Sequence, residues 1–391
     1  MAHIQRRRIQ VTDPSGRKRT VTRYRVRYLD WSGNEHSETF RRAGDAERRK
    51  SQIETELTGG TWRDPRRGEI RFGQWAAQWI TTRHDLRATT RSRLGTTLRM
   101  QVLPKFGKMP LNRISNAAVR AWVAEMLAAD LSAASTRKAV FALRQCLDAA
   151  VADGRLMVNP TTKVPLPPEQ ARPPRFLSQD EVLSLLNAMP DRYRALVLVG
   201  AFGGLRWGEA AGLTRANVDE RRSRIIVTST AVEVNGTITL GNEPKTRRSK
   251  RSVPVAHAVM GQIAEHLRRH VGAGGDALVF TGSQGGPMFR ATFARQVWRP
   301  ATKEAGLHDV TFHTLRHSFV AILVAAGCNV REVSEWAGHN SVAFTLTRYG
   351  GLFEDDTDAA VKRLDDLLKG VDTRPGDGLG GATRAQSPAR N

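Results

Sequence analysis

Cysteine is nearly absent from this chain: residues 146 and 328 are the two copies in 391 residues, and neither belongs to a Cys-x-x-Cys pair. That excludes a disulfide framework and a cysteine-based metal centre, and it fits a reducing compartment. Cys146 and Cys328 both fall in apolar helical patterns, where a buried thiol is a packing residue. Long hydrophobic runs are missing as well. The longest, at 195–199 and 319–326, are too short to cross a bilayer. The first residues are arginine-rich with no apolar signal core, so a soluble cytoplasmic protein is expected, with no membrane partner. There is no His-Glu-x-x-His and no internal repeat, and the pair His313 and His317 alone is a poor zinc site. Tyrosine is scarce, with 4 copies. Acidic side chains are in deficit, with 38 Asp+Glu against 61 Lys+Arg and a formal net charge of +23.

A charge balance of that sign and size favours a polyanionic partner, because basic side chains displace condensed counterions from phosphates. The competing reading is a merely solvated basic surface, and charge alone does not decide between them. The length suffices for two or three domains with ample cores.

The hydrophobic pattern changes along the chain. Arg6 to Val11, Thr20 to Leu29 and Glu35 to Phe40 read as strands, the second with strict alternation, joined by turns at Asp13-Pro14-Ser15-Gly16 and Trp31-Ser32-Gly33-Asn34. A helix follows from Asp45 to Leu57, and the arginine-studded sheet could lie on DNA. Phe72, Trp75, Trp79 and Ile80 keep helical spacing, Thr89 to Val102 continues it up to Pro104, and two further helices begin at Ser115, an N-cap, and at Ser132. Five prolines between Pro165 and Pro174 cannot be helical and mark a linker. Ser178-Gln179-Asp180-Glu181 is a capping box. Beyond it come a helix from Tyr193 to Leu205, a hairpin turning at Asn235-Gly236, a strand from Ser252 to Val255, and helices ending with Val342 to Tyr349 and Asp356 to Leu368. Composition after Gly370 points to disorder.

The chemistry gathers late in the chain. A phenol has an ordinary pKa of about 10, so a tyrosine that attacks a phosphodiester needs neighbours to take or screen its proton. The transition state gathers negative charge on the non-bridging oxygens, which planar guanidinium groups stabilise through paired hydrogen bonds. The leaving oxygen needs a proton, which an ammonium group can supply. Tyr349 follows His339 by ten positions and His313 by 36. His313 and Arg316 share one helix face, and His313 sits at a helix start, where exposed N–H groups favour an anion. Arg206 lies in an apolar Gly-Leu-Arg-Trp context, where a buried charge calls for an anion. Lys245 lies in a polar loop between strands.

The segments Gly204-Leu205-Arg206-Trp207-Gly208-Glu209, His313-Thr314-Leu315-Arg316-His317, Gly338-His339 and Arg348-Tyr349-Gly350 resemble, in order and spacing, the motifs of tyrosine recombinases, the phage integrase family. The resemblance implies a mostly α fold with small β-sheets. An arm-type DNA-binding domain of three strands and a helix would occupy 1–65, and a helical core-binding domain 68–164. A Pro-rich linker would follow at 165–175, an α+β catalytic domain at 176–370 and a disordered tail at 371–391. It implies a site-specific recombinase of a phage or mobile element, acting in the bacterial host cell through a 3′-phosphotyrosine intermediate. Tyr349 would be the nucleophile, Arg206 and Arg316 would hold the phosphate, and Lys245 would protonate the 5′-oxygen. His313 would help accept the tyrosine proton, His339 would bind the phosphate, and Glu209 would buttress the site.

No metal, ATP or other cofactor is implied. The implied partners are core-type and arm-type DNA sites, a homotetramer on two duplexes, DNA-bending proteins and an excisionase. The chain departs from many relatives at Gly351, where they have histidine. Arg247, Arg248, Lys250 and Arg251 compete with Lys245 in the basic loop, and His317 is read as structural. Two alternatives remain. One is a DNA-binding protein of this fold that does not cleave, against which the complete residue set argues. The other is a type IB topoisomerase-like enzyme, against which the arm-like first domain argues.

Overall fold

The computed structural model describes residues 2–12, 14, 16–169, 173–242 and 250–353, together with 361, 362, 364–366 and 369. The chain divides into two compact units, 1–172 with 234–236, and 173–233 with 237–391.

The first unit begins with an antiparallel sheet in the order β1-β2-β3, formed by His3–Thr12, Lys18–Leu29 and Glu35–Phe40. Alternation decides which face is covered. Val26 and Tyr28 are buried with Ala46 and Ile53 of the Ala43–Thr58 helix and with Trp62. Arg19, Arg23, Arg25 and Arg27 therefore take the opposite face. The register sets Arg7 directly across from Arg23. Like charges so opposed destabilise a sheet unless an anion lies between them.

A helical bundle follows, with Phe72–Thr82, Ala88–Thr97, Asn116–Ala128 and Ala133–Ala152 around a core that includes Phe72, Phe106, Trp122, Leu143 and Leu147. Ser115 and Ser132 cap the last two helices, accepting from the N–H groups of Ala118 and Ser135. The expected stop at Pro104 does not occur. The chain passes through a π turn at Leu98–Val102 and resumes as Leu103–Phe106. Pro104 then sits in a first turn, where a missing N–H costs little. The proline-rich stretch is packed where it starts, with Val164 buried in the bundle core and Arg137 donating to the Pro167 carbonyl at 3.0 Å.

The second unit opens on the expected capping box. The Ser178 hydroxyl accepts from Glu181 N–H, and Ser178 N–H donates back to the Glu181 carboxylate. An almost wholly buried helix, Asp191–Ala201, packs on Phe312–Ala325. A small sheet begins with β4, Val218–Asp219, and β5, Arg224–Val227. The hairpin of β6, Thr230–Val234, and β7, Thr237–Asn242, turns through Asn235 at φ 50° and Gly236 at φ 79°, the left-handed pair that Asn-Gly favours. The sheet is completed by β8, Arg251–Pro254. Helices His257–His270, Val330–Ala337 and Val342–Tyr349 complete the frame around the site. Thr311 and Thr314 cap one another across the first turn of the Phe312–Ala325 helix, which puts His313 at its start. Most of the helix expected over 356–368, and the tail 371–391, lie outside the described residues. Among the described residues no helix is long and apolar enough to cross a membrane.

Candidate active site

The site is built from the ends of helices. Arg206 caps the short Trp207–Ala211 helix, and its backbone N–H and guanidinium Nη1 donate to Glu209 at 2.8 and 2.9 Å. Its other terminal nitrogen donates to the Gly338 carbonyl at 2.7 Å. Gly338 ends the Val330–Ala337 helix in the left-handed region at φ 62°, and the chain then delivers His339. Arg316, on the Phe312–Ala325 helix, is 2% exposed. Its Nη1 donates to the Gly204 carbonyl at 2.6 Å, while Nη2 has no partner among the described residues. Gly204 must be glycine here: its φ is 61°, and a Cβ would lie 2.2 Å from the ring of Phe319.

Tyr349, the last residue of its helix, is 4% exposed. Its ring lies parallel to that of His339, with centroids 5.6 Å apart and planes 8° apart. His339 is held from the other side by Thr345, 2.8 Å from Nδ1. The Tyr349 hydroxyl lies 2.6 Å from Nδ1 of His317. His317 in turn meets His313 edge-on at 4.7 Å between ring centroids.

Arg206, His313, Arg316, His339 and Tyr349 therefore come together. Lys245 lies outside the described residues. Two residues that sequence reasoning passed over are also in the site. His317 was read as structural, yet it touches the Tyr349 hydroxyl; its spacing of four from His313 on one helix face was the available signal. Arg251 was weighed as an alternative to Lys245 in the basic loop. Instead it opens strand β8 and is 7% exposed, with Nη1 and Nη2 donating to the two Glu209 oxygens at 3.0 and 2.9 Å and Nε to the Trp336 carbonyl at 2.8 Å. Alternation with the inward-facing Val253 would have placed it.

Charge dominates the electrostatics. Burial pulls the Arg316 guanidinium down to about 9, and the like charges of Arg206 and Arg251 add to the fall. Burial would raise Glu209, but Arg251 and Arg206 hold its carboxyl at about 2. Burial raises the Tyr349 phenol, while Arg316, Arg348 and Arg206 oppose the rise. Burial lowers His317 to about 4, with His313 and Arg348 assisting, and lowers His339 to about 3, with Arg316 and Arg206 assisting. His313 is lowered too, by partial desolvation and then by Arg316 and Arg206, although its ring reaches the surface. Near neutrality the site thus holds uncharged imidazoles among fixed guanidinium charges.

Two stability predictions follow from these contacts. An ordinary histidine has a pKa of about 6.5, so unfolding below that pH lets His317 and His339 take up protons that the fold refuses. Their contribution is complete above about 6.5 and is lost as pH falls toward 4 for His317 and 3 for His339. Thermal melting should therefore be flat from pH 7 to 8 and decline steadily below 6.5, with a shallower decline in His339→Gln; equal slopes in the two proteins would contradict it. Glu209 adds its own loss only below about 4.5. The second prediction concerns Arg251→Met, which strands most of a buried carboxylate and should cost about 3–5 kcal/mol in denaturant melts. Most of that should return in the double variant with Glu209→Gln.

A buried tyrosine hydroxyl among guanidinium groups and neutral imidazoles, on a mixed α+β unit, is an arrangement suited to phosphodiester chemistry by a tyrosine nucleophile. The comparisons with known proteins agree. Residues 175–354 match the phage integrase family, and residues 71–127 match the phage integrase N-terminal SAM-like domain. The chain belongs to the phage integrase family and is a tyrosine recombinase. It is 29% identical over 276 residues to the integrase of Mycobacterium phage D29, which covers 70% of this chain and 72% of that one. The Tn1549 transposon integrase in complex with a circular intermediate DNA superposes with a TM-score of 0.61 at 22% identity, over 76% of this chain and 99% of that one. A lambda integrase tetramer bound to a Holliday junction gives a TM-score of 0.56 at 17% identity, over 91% and 95% of the two chains. At those identities the two structures speak for the fold.

Proposed function

We propose that this recombinase joins itself to a DNA attachment site through Tyr349. The phenolic oxygen bonds to phosphorus, the bond from phosphorus to the 5′-oxygen breaks, and a 3′-phosphotyrosine ester remains. The 5′-oxygen takes a proton from Lys245, and the phenolic proton passes to the histidine cluster headed by His313. Arg206 and Arg316 hold the non-bridging oxygens, and His339 binds the same phosphate. A 5′-hydroxyl from a second duplex then reverses the step, so bond energy is conserved and no nucleotide or metal is consumed. The observation that supports this reading best is Arg316. A fully buried guanidinium, surrounded by like charge and with one nitrogen unpartnered among the described residues, is costly until an anion meets it. Tyr349 stacks on His339 of the same chain and its hydroxyl meets His317, the neighbour of Arg316, which supports cleavage in cis.

The domain organisation belongs to the same proposal. The catalytic domain is 176–370 and the helical domain 68–164 holds core-type DNA. Residues 1–65 present the arginine face of β1-β2-β3 to arm-type sites, where phosphates would relieve the Arg7–Arg23 opposition. The assembly is a homotetramer on two duplexes, working in the host cell with DNA-bending proteins and an excisionase; the lambda integrase tetramer bound to a Holliday junction supports the tetramer.

The test is a duplex attachment site nicked next to the crossover, so that cleavage releases a short strand and traps the adduct. The wild-type protein should give a covalent band resistant to detergent. Binding without any band would leave a non-cleaving DNA-binding protein, and supercoil relaxation on any plasmid would indicate a topoisomerase. Affinity should also fall steeply with salt, with a slope of roughly −0.9 per phosphate contacted in a plot of log K against log salt.

A further inference from the structure

The reaction above needs the phenolic oxygen at one position, and Tyr349 stands at the end of its helix. It is the last residue of an eight-residue helix and is followed by Gly350 and Gly351, around which a Cβ would meet nothing within 4 Å. Stacking on His339 and the tilted contact with Phe176 restrain the plane of the ring. Neither contact fixes the oxygen. The hydroxyl's hydrogen-bond partner among the described residues is His317 Nδ1, at 2.6 Å.

His317 is well placed to act as an anchor. It lies on the Phe312–Ala325 helix between Arg316 and Ser318, and that helix is locked into the core by Leu315, Phe319 and Val320, all at most 2% exposed. Its ring is braced by His313. Burial, with His313 and Arg348 assisting, keeps the imidazole neutral near pH 7, so Nδ1 can accept the phenolic hydrogen. The same low basicity makes it a poor final holder of the proton.

Resting on the proposed reading of Tyr349 as nucleophile, we infer that His317 is a positioning residue: it accepts the Tyr349 hydroxyl hydrogen bond at Nδ1 and so fixes the attacking oxygen relative to Arg316. Arg316 and His317 are adjacent in the chain, so the phosphate clamp and the anchor of the nucleophile are set by one turn of one helix. Misplacing a reacting atom by about 1 Å can lower a rate roughly 10²-fold.

The experiment uses the full-length protein, saturating, on the nicked substrate in a single turnover. Three variants are compared: His317→Ala, His317→Leu, which keeps bulk without an acceptor, and His317→Asn, whose side-chain oxygen can take the place of Nδ1. Covalent complex should form about 10²-fold more slowly in the alanine and leucine variants. DNA affinity in gel shifts and melting temperature should stay close to wild type. The asparagine variant should recover most of the rate with an unchanged pH profile. Wild-type rates in the alanine variant, a rate lost only together with affinity or folding, or an asparagine variant as slow as leucine would each overturn the assignment. A changed pH profile in the asparagine variant would replace positioning with proton transfer. The DNA-free protein gives an independent readout: the His317 ring nitrogen NMR shift should move in Tyr349→Phe, and an unmoved shift would show that the contact does not exist. If wild type itself forms no adduct, the proposed reading fails, while the NMR arm still decides whether the contact is real.

Discussion

Tyr349→Phe is expected to leave DNA binding intact and to abolish covalent joining. The substitution removes one oxygen and keeps the ring that stacks on His339. Folding should be little changed, because the lost hydrogen bond to His317 is one contact and its remaining partner is a neutral imidazole at the edge of the site. The chemistry, by contrast, loses its nucleophile. Removing the attacking group of a covalent catalyst lowers rates by roughly four orders of magnitude or more. On the nicked attachment site the variant should therefore give a normal gel shift and no detergent-resistant band. A residual band at even a hundredth of the wild-type rate would mean that another group attacks, and the assignment of Tyr349 would be wrong.

Arg316→Met should separate stability from activity. The guanidinium is buried, hydrogen-bonded through one nitrogen to Gly204, and pressed by the charges of Arg206 and Arg251. Replacing it with an apolar chain of similar length removes a charge that the free fold holds at a cost, against the loss of one carbonyl contact. The melting temperature of the DNA-free protein should stay level or rise. Cleavage should fall about 10²–10³-fold, the usual effect of deleting one preorganised donor to a developing oxyanion. Single-turnover trapping and a thermal melt on the same preparation check both halves. A strongly destabilised variant would show that Arg316 supports the fold rather than the phosphate.

What the sequence disclosed tracks what is local. The capping box at Ser178, the Asn235-Gly236 turn and the cap Ser115 follow from the residues within a few positions of each, and all stand in the structure. Arg206, His313, Arg316, His339 and Tyr349 were legible because their motifs are compact and ordered along the chain. The contacts of Arg251 and His317 were hidden for a different reason. Arg251 meets Glu209 and Trp336, 42 and 85 positions away. His317 meets Tyr349, 32 positions away. No local pattern states such a pairing. Pro104 misled in the opposite sense, because a π turn beside it removes the conflict that proline normally creates.

Gly338 brings two of these threads to one point. Its carbonyl receives Arg206, and its bare Cα leaves the space that the Arg251 guanidinium fills, 2.9 Å from where a Cβ would stand. Any side chain there would push on the support of Glu209 from behind while tilting the acceptor of Arg206 from in front. A missing atom at 338 thus ties the seat of Arg206 to that of Arg251, and through both to Glu209.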